Sequence, residues 1–192
     1  MATVNYTGAK AQKFIKPDYI VATLFTGGET DNTPKGDSYV LEDVIEDTTK
    51  ISQDDNTTTD IECETSDAPI VSIVKLGKYQ ISAEVGDTQA DLLKSLCGFI
   101  ADDTGKKVFA PSIYQPLYVK FDIVYKNGEG YVAYVVPKAQ LNSKVMIESL
   151  NSNLGRIAIA GTAQDVSFTV GGKVIKTPFY IDMQYTLPTA AG

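Results

Sequence analysis

The sequence predicts a mainly β protein, built as a β-barrel or as two packed antiparallel sheets, with one flanking α-helix. Short segments rich in Val, Ile, Thr and Tyr alternate with turn residues along most of the chain, as is typical of strands. Two pairs of these segments are joined by Asn-Gly or Gly-Gly, sequences that hairpin turns favour. Only one segment has the strong periodicity of an amphipathic helix.

The clearest hairpin spans residues 117–136. Apolar side chains recur at every second position from Leu117 to Tyr125, which is the period of a strand with one buried face. The chain then turns at Asn127-Gly128 and returns, and we expect Pro137 to end the returning strand.

The remaining strands are shorter. Residues 166–175 predict a second hairpin across Gly171-Gly172, a pair that tolerates positive φ. Residues 39–48 fit either a helical face or a partly exposed strand, and we favour a strand because the neighbouring segments are β-rich. Further strands are predicted at residues 19–26, 61–65, 69–76, 79–85, 145–150, 156–161 and 180–187.

The helix is predicted at residues 87–97, DTQADLLKSLC. Thr88 is a suitable N-cap, and Asp91 follows it three residues later, as in a capping box. The leucines and Cys97 form a broad apolar stripe, and Gly98 is a typical C-terminal stop. One helix of this length would cover one face or one end of a sheet.

We expect a single domain over residues 19–188, preceded by an N-terminal arm of residues 1–18 and followed by a C-terminal tail of residues 189–192. No linker-like stretch divides the chain. Within the domain, residues 26–38, TGGETDNTPKGDS, are too polar for a core and longer than most connections in compact domains. Such a loop is a candidate contact with a neighbouring subunit.

Charge is distributed unevenly. Residues 1–100 carry 17 acids and 8 lysines, a balance of −9, whereas residues 101–192 carry 7 acids and 9 bases, a balance of +2. An acidic surface repels phosphate backbones, which argues against a protein that grips nucleic acid. An acidic face of one copy could instead meet a neutral or basic face of another; the alternative is a simple solvated face.

Several classes of chemistry lack their usual residues. The chain has no histidine, which is the commonest general acid or base and the commonest metal ligand. Cys63 and Cys97 have no metal or redox spacing and fit buried thiols. Residues 54–60 resemble a calcium loop only briefly, because the central glycine and terminal glutamate are missing. We therefore predict a protein that is not an enzyme and needs no cofactor or metal.

Membrane association is not predicted either. No segment has the roughly 20 consecutive apolar residues that a spanning helix needs, and the N-terminus lacks a signal-peptide core. We expect the chain to fold in a cytoplasm without a membrane anchor.

Three carboxylates are the most distinctive polar pattern. Asp60, Glu62 and Glu64 alternate with other residues, so a strand at this point would place all three on one face. That face is either a solvated exterior or an acidic wall along a channel, past which a polyanion could slide without binding tightly.

The order of these segments resembles the tail tube (major tail) proteins of long-tailed bacteriophages. The segments that carry the resemblance are YVLEDVIEDTTKISQDDNTTTDIECETSDAPI, the helix DTQADLLKSLCGF, the hairpin LYVKFDIVYKNGEGYVAYVVP and the closing run IAIAGTAQDVSFTV. The resemblance covers about residues 35–187 and includes no diagnostic catalytic or binding motif. Tube proteins of type VI secretion and contractile-injection machines are relatives of this family.

The resemblance implies a structural virion protein that assembles in the bacterial host cytoplasm. Six copies would form a ring, and stacked rings would form a tube through which DNA passes, in contact with other tail proteins. Asp60, Glu62 and Glu64 would line the channel, although the hairpin 117–136 is an alternative lining. The long loop would join stacked rings through residues Thr26, Gly27, Gly28, Glu29, Asp31, Lys35 and Asp37.

Two other functions remain open at this point. The chain could be a secretion or contractile-injection tube subunit, or another tail component, because these share the same layout. It could also be a non-catalytic β-sandwich module that binds carbohydrate or protein. The absence of tryptophan, the usual sugar-stacking residue, disfavours the second function.

Overall fold

A computed structural model describes residues 17–27, 32–41, 43–63, 66–86, 89–102, 104, 106–113, 115–128, 130–146 and 155–187. Within these ranges the chain forms strands and one helix, so the mainly β fold class with a single helix is confirmed. The elements are β1 (Tyr19–Leu24), β2 (Ser38–Leu41), β3 (Lys50–Gln53), β4 (Thr57–Cys63), β5 (Ser66–Lys75), β6 (Tyr79–Val85), α1 (Ala90–Cys97), β7 (Ile100–Ala101), β8 (Val108–Phe109), β9 (Leu117–Asn127), β10 (Gly130–Leu141), β11 (Lys144–Met146), β12 (Arg156–Ala163), β13 (Val166–Val170), β14 (Lys173–Thr177) and β15 (Tyr180–Tyr185).

A nine-stranded antiparallel sheet forms the body. Its strand order is β2-β1-β9-β10-β12-β6-β3, with β11 on β12 and β15 on β10. Within the described residues no ladder joins β2 to β3, so the sheet stays open and the barrel alternative is wrong. A single bridge, Val44–Val85, attaches the segment after β2 to β6. The pairs β4–β5, β7–β8 and β13–β14 form separate two-stranded sheets.

The sheet is buried on both faces around β1, β9 and β10. The principal core contains Ile20, Phe121 and Ile123, together with the three leucines of α1. Because side chains alternate along a strand, the next residues point the other way, and Val21 and Val124 belong to a second, smaller cluster on the opposite face. The alternation predicted for β9 is therefore confirmed, but its reverse face is covered as well.

Pro137 does not end the returning strand of the first hairpin. β10 continues to Leu141, and its register on β9 shifts by one residue between Val136 and Ala139. Proline has no N–H to give to a ladder, and a bulge is a position that tolerates this. The bulge also divides the edge of β10, because its first half pairs with β15 and its last residues pair with β12.

The helix is shorter than predicted. It begins at Ala90, and its N-cap is Gln89, which makes no side-chain capping bond. Thr88, the predicted cap, lies outside the described residues. Gly98 ends the helix as predicted, in the left-handed conformation with φ of 70°. Leu92, Leu93 and Leu96 are buried against the sheet.

The segment 39–48 is only partly a strand. β2 ends at Leu41, and after the single bridge at Val44 the chain turns, with Asp47 at φ of 62°. The sequence also failed to indicate β3 and the short β7–β8 hairpin. Of the predicted appendages, residues 1–16 and 188–192 lie outside the described residues.

Candidate functional site

The most unusual feature of the surface is a long hairpin that leaves the edge of the sheet. β3 pairs with β6 from Lys50–Ser82 to Gln53–Tyr79, and β4 pairs with β5 from Thr57–Lys75 to Ile61–Val71. All these pairs share one register, so the two ladders are the inner and outer halves of one hairpin. We call the outer half, β4 and β5 within residues 57–75, the acidic ribbon. Seven residues of β4 span roughly 23 Å at about 3.3 Å per residue.

A short joint connects the acidic ribbon to the body. The Asp54 N–H donates to the Lys78 carbonyl over 2.9 Å, and the Gly77 N–H donates to Asn56 Oδ1 over 3.0 Å. The Gln80 amide holds the Asp54 carboxylate at 3.0 Å. A Cβ on Gly77 would lie 1.8 Å from the Asp54 carbonyl oxygen, so only glycine allows the two backbone segments of the hairpin to approach this closely.

One face of the acidic ribbon is apolar and uncovered. Ile61, Val71 and Ile73 share this face, because the pairs Ile61–Val71 and Thr59–Ile73 lie two positions apart along the ladder, and each side chain is 48–53% exposed. The other face has the polar pair Asp60–Ser72, although Val74, which pairs with Thr58, is also 58% exposed there. Two-stranded ribbons are marginal in water on their own, and their outer edges offer unpaired N–H and C=O groups. This surface therefore has the properties of one that is buried by a partner.

The predicted channel-lining acids lie on this ribbon. Asp60 is exposed on the polar face, where its carboxylate accepts a hydrogen bond from Ser72. Glu62 belongs to β4, but the register shifts between Ile61 and Cys63, and its side chain is outside the described part of the structure. Glu64 also lies outside it. That these acids line a channel stays a prediction.

The predicted inter-ring loop joins the neighbouring strands β1 and β2. Thr26, Gly27 and Lys35 are exposed, whereas Gly28, Glu29 and Asp31 lie outside the described residues. The far end of the loop is held to β1, because the Leu24 N–H donates to the Asp37 carbonyl and the Gly36 N–H donates to the Leu24 carbonyl, both over 3.0 Å. No contact that the structure describes tests the proposed role of this loop between rings.

A second ribbon projects from the body between β12 and β15. We call β13 and β14, residues 166–177, the basic ribbon, because this segment has Lys173 and Lys176 and no acid. Its base is anchored by buried Val166 and by an edge-to-face contact between Phe168 and Tyr180, with ring centroids 5.3 Å apart. Toward the turn, the aliphatic side chains are exposed: Val170, Val174 and Ile175.

A buried polar cluster lies on the second face of the sheet. Asp122 is 1% exposed, and its Oδ2 accepts hydrogen bonds from Lys120 Nζ at 2.8 Å and from the Tyr185 hydroxyl at 2.9 Å. Its Oδ1 is buried without a hydrogen-bond partner among the described residues. Burial first, and then the Asp122 charge, raise the pKa of Tyr185 well above its usual value, so this hydroxyl remains a donor. The cluster ties β15 to β9.

A buried cation lies beside the bulge of β10. Lys138 is 2% exposed, and its ammonium lies 5.1 Å from the centre of the Phe25 ring and 4.9 Å from that of Tyr118. At these distances two aromatic faces stabilise the charge of the lysine. Tyr118 alternates with the predicted core positions Leu117 and Val119, and the structure buries it as well.

An open pocket of about 270 Å³ lies beside the end of α1 and is lined by Cys97, Ile113 and Ser143, among others. Burial raises the pKa of the Cys97 thiol to about 11, so the thiol is protonated near neutral pH and is a poor nucleophile.

Among the described residues, no group of three or more His, Cys, Asp or Glu side chains could hold a metal ion. Within the same ranges, no helix is long and apolar enough to cross a bilayer.

The aliphatic face of the acidic ribbon was not predicted from the sequence, although strands at residues 61–65 and 69–76 and the acids of the first were. The signal that was available is the alternation of Val71 and Ile73 with polar residues, combined with a matching Ile61 across the turn.

Comparison of the chain with protein-family models gives no match, and comparison with curated proteins gives no relative.

Proposed function

We propose that the protein is a structural subunit that assembles with copies of itself, and specifically a phage tail tube subunit. In this proposal six copies form a ring, as in the tail tube proteins that the chain resembles, and the rings stack around a channel for DNA. The observation that carries the proposal is the exposed aliphatic face of the acidic ribbon, Ile61, Val71 and Ile73, on a hairpin whose outer edges pair with no other described strand.

A ring supplies a partner that covers this aliphatic face. In a ring, every copy makes the same head-to-tail contact, in which its projecting ribbon lies against a different surface of the next copy. Because the ring closes, no ribbon is left uncovered. The resemblance of the chain to tail tube proteins in the order of its segments supports a tube over other closed assemblies. A tube subunit of a secretion or contractile-injection machine would share the same contacts and is the alternative function.

Assembly is tested by light scattering and negative-stain microscopy over a range of protein concentrations. We expect rings or tubes for the wild-type chain and monomers for Ile73→Asp, because a charge cannot be buried on the aliphatic face without a large cost. Thr58→Asp is the matched control, since Thr58 is exposed on the other face of the same strand pair, and it should assemble like the wild type.

Two results would count against the proposal. A wild-type protein that remains monomeric at every concentration would contradict self-assembly. Rings whose central opening is too narrow for a DNA duplex would retain self-assembly but contradict the proposed passage of DNA.

A further inference from the structure

The two ribbons carry opposite charge. Residues 57–75 contain four acids and one lysine, a balance of −3, whereas residues 166–177 contain two lysines and no acid, a balance of +2. Lys173 and Lys176 are exposed, as is Asp60. Surfaces of opposite charge steer association and disfavour contacts between like ribbons.

Both ribbons also expose aliphatic side chains. Val170 and Ile175 of the basic ribbon are 59% and 47% exposed, values close to those on the apolar face of the acidic ribbon. On β15, the next strand in the chain, Ile181 and Met183 are also exposed. Each ribbon thus combines exposed aliphatic side chains with charged ones, although on the acidic ribbon Asp60 lies on the face opposite Ile61, Val71 and Ile73.

The two ribbons leave the body from neighbouring positions. Leu76, Gly77 and Lys78 at the joint of the acidic ribbon, and Lys176 and Pro178 at the end of the basic ribbon, line one open pocket of about 630 Å³. A rotation about a ring axis keeps this end of every copy at the same height. It can therefore bring the acidic ribbon of one copy beside the basic ribbon of the next.

From these three observations we infer that the acidic ribbon of one copy docks on the basic ribbon of a neighbouring copy. This inference rests on the proposed self-assembly and names the two surfaces that meet within a ring. The β7–β8 hairpin is a weaker receptor: it exposes Ile100 and Phe109, but its ladder has two pairs, and residues 100–113 carry two acids and two lysines.

Charge reversal tests the docking. The variants are Asp60→Lys/Glu62→Lys on the acidic ribbon and Lys173→Glu/Lys176→Glu on the basic ribbon. Each alone should raise the protein concentration needed for assembly about tenfold, because attractive pairs become repulsive. An equimolar mixture of the two should recover wild-type assembly, since each reversed ribbon then meets an oppositely charged one. Lys106→Glu/Lys107→Glu is the control for the lysine variant, because it makes the same change in net charge, −4, at exposed lysines elsewhere.

Recovery in the mixture would exclude misfolding as the reason that each variant fails alone. If the wild type assembles and both ribbon variants assemble equally well, the docking inference is overturned while self-assembly stands. The docking inference is also overturned if the mixture does not recover wild-type assembly, or if the control variant loses as much assembly as the ribbon variants do. A monomeric wild type overturns both proposals. If Lys173→Glu/Lys176→Glu assembles like the wild type but its assemblies hold less DNA, the basic ribbon contacts DNA and not a neighbouring copy. That result would also overturn the inference.

A cross-linking experiment separates contacts between copies from contacts within one chain. Thr59→Cys and Thr169→Cys are each introduced into a Cys63→Ser/Cys97→Ser background, and the two proteins are mixed before a short bismaleimide is added. We expect a covalent dimer that contains one of each. If the two cysteines instead react only when they are placed in the same chain, giving a cross-linked monomer, the ribbons close on each other and the inference is wrong.

Discussion

At the scale of single residues, Asp122 is a carboxylate inside an apolar cluster. Two donors, Lys120 and Tyr185, reach the same carboxylate oxygen. A buried charge is tolerated when it is paired, and removal of one partner leaves the remaining groups unsatisfied, which costs more than the hydrogen bond itself. The stability of this part of the sheet therefore depends on both hydrogen bonds to Asp122.

Tyr185→Phe should lower the free energy of unfolding by about 1–3 kcal/mol, because Asp122 loses a donor and remains buried. The same variant should flatten the alkaline part of the stability curve. The fold raises the pKa of Tyr185, so the neutral hydroxyl is favoured, and its contribution is complete below the ordinary tyrosine pKa of about 10 and is lost as pH rises above it. Urea unfolding at about pH 8 and at about pH 10.5 measures both effects.

Tyr19→Phe is the control, because Tyr19 is 39% exposed and contacts Tyr131 through its ring. It should change stability little at either pH. Equal losses in the two variants would show that the Tyr185 hydroxyl contributes nothing specific to the fold.

This cluster could not be predicted from the sequence, for a physical reason. Alternation along β9 assigns Asp122 and Lys120 to the face opposite the core, where charged residues normally meet solvent. Side chains of β15, a strand that pairs with β10 in the same sheet, cover part of that face, and Tyr185 is 63 residues away along the chain. Periodicity within one strand contains no information about side chains that reach over it from a distant part of the sequence.

At the scale of elements, local chemistry predicts glycine turns and the C-terminal end of the helix better than the helix N-cap or the ends of strands. Gly98 and Gly171-Gly172 lie at positive φ where the sequence placed a helix stop and a hairpin turn. Pro137 was misassigned, because a missing N–H ends a ladder in one setting and occupies a bulge in another. Only the neighbouring strands, β9, β12 and β15, decide between these outcomes.

Gly98→Ala should lower the free energy of unfolding by about 1 kcal/mol. The backbone at φ of 70° is accessible to glycine and strained for alanine, while space is not limiting, since the nearest atom to an added Cβ is 3.7 Å away on Leu117. Gly86→Ala is the matched control: its added Cβ would also lie 3.7 Å from its nearest neighbour, and its φ is not in the left-handed region. Thermal unfolding compares the two, and equal losses would contradict a conformational origin.

At the scale of the whole molecule, the order of the strands lay beyond what the sequence predicts. β1 pairs with β9, β6 with β12, and β10 with β15, so most of the body is held by partners far apart in the chain. The same limit concealed the acidic ribbon, because its projection depends on β3 and β6 joining the sheet while β4 and β5 do not. The fold class and the hairpins can be predicted from the local sequence pattern. Which surfaces remain exposed depends on the order in which the strands pair.

Hydrogen exchange on monomers and on assembled protein can locate the surfaces that assembly buries. In a two-stranded ribbon about half of the backbone N–H groups point away from the partner strand and exchange quickly while they face water. We expect amides of β4, β5, β13 and β14 to slow down on assembly, by about tenfold or more, because a neighbouring copy covers those edges. Amides in the middle of β9, which pairs with β1 and β10, serve as the internal control and should not change. Slowing confined to Lys35–Asp37 would assign assembly to the long loop and contradict the role of the ribbons.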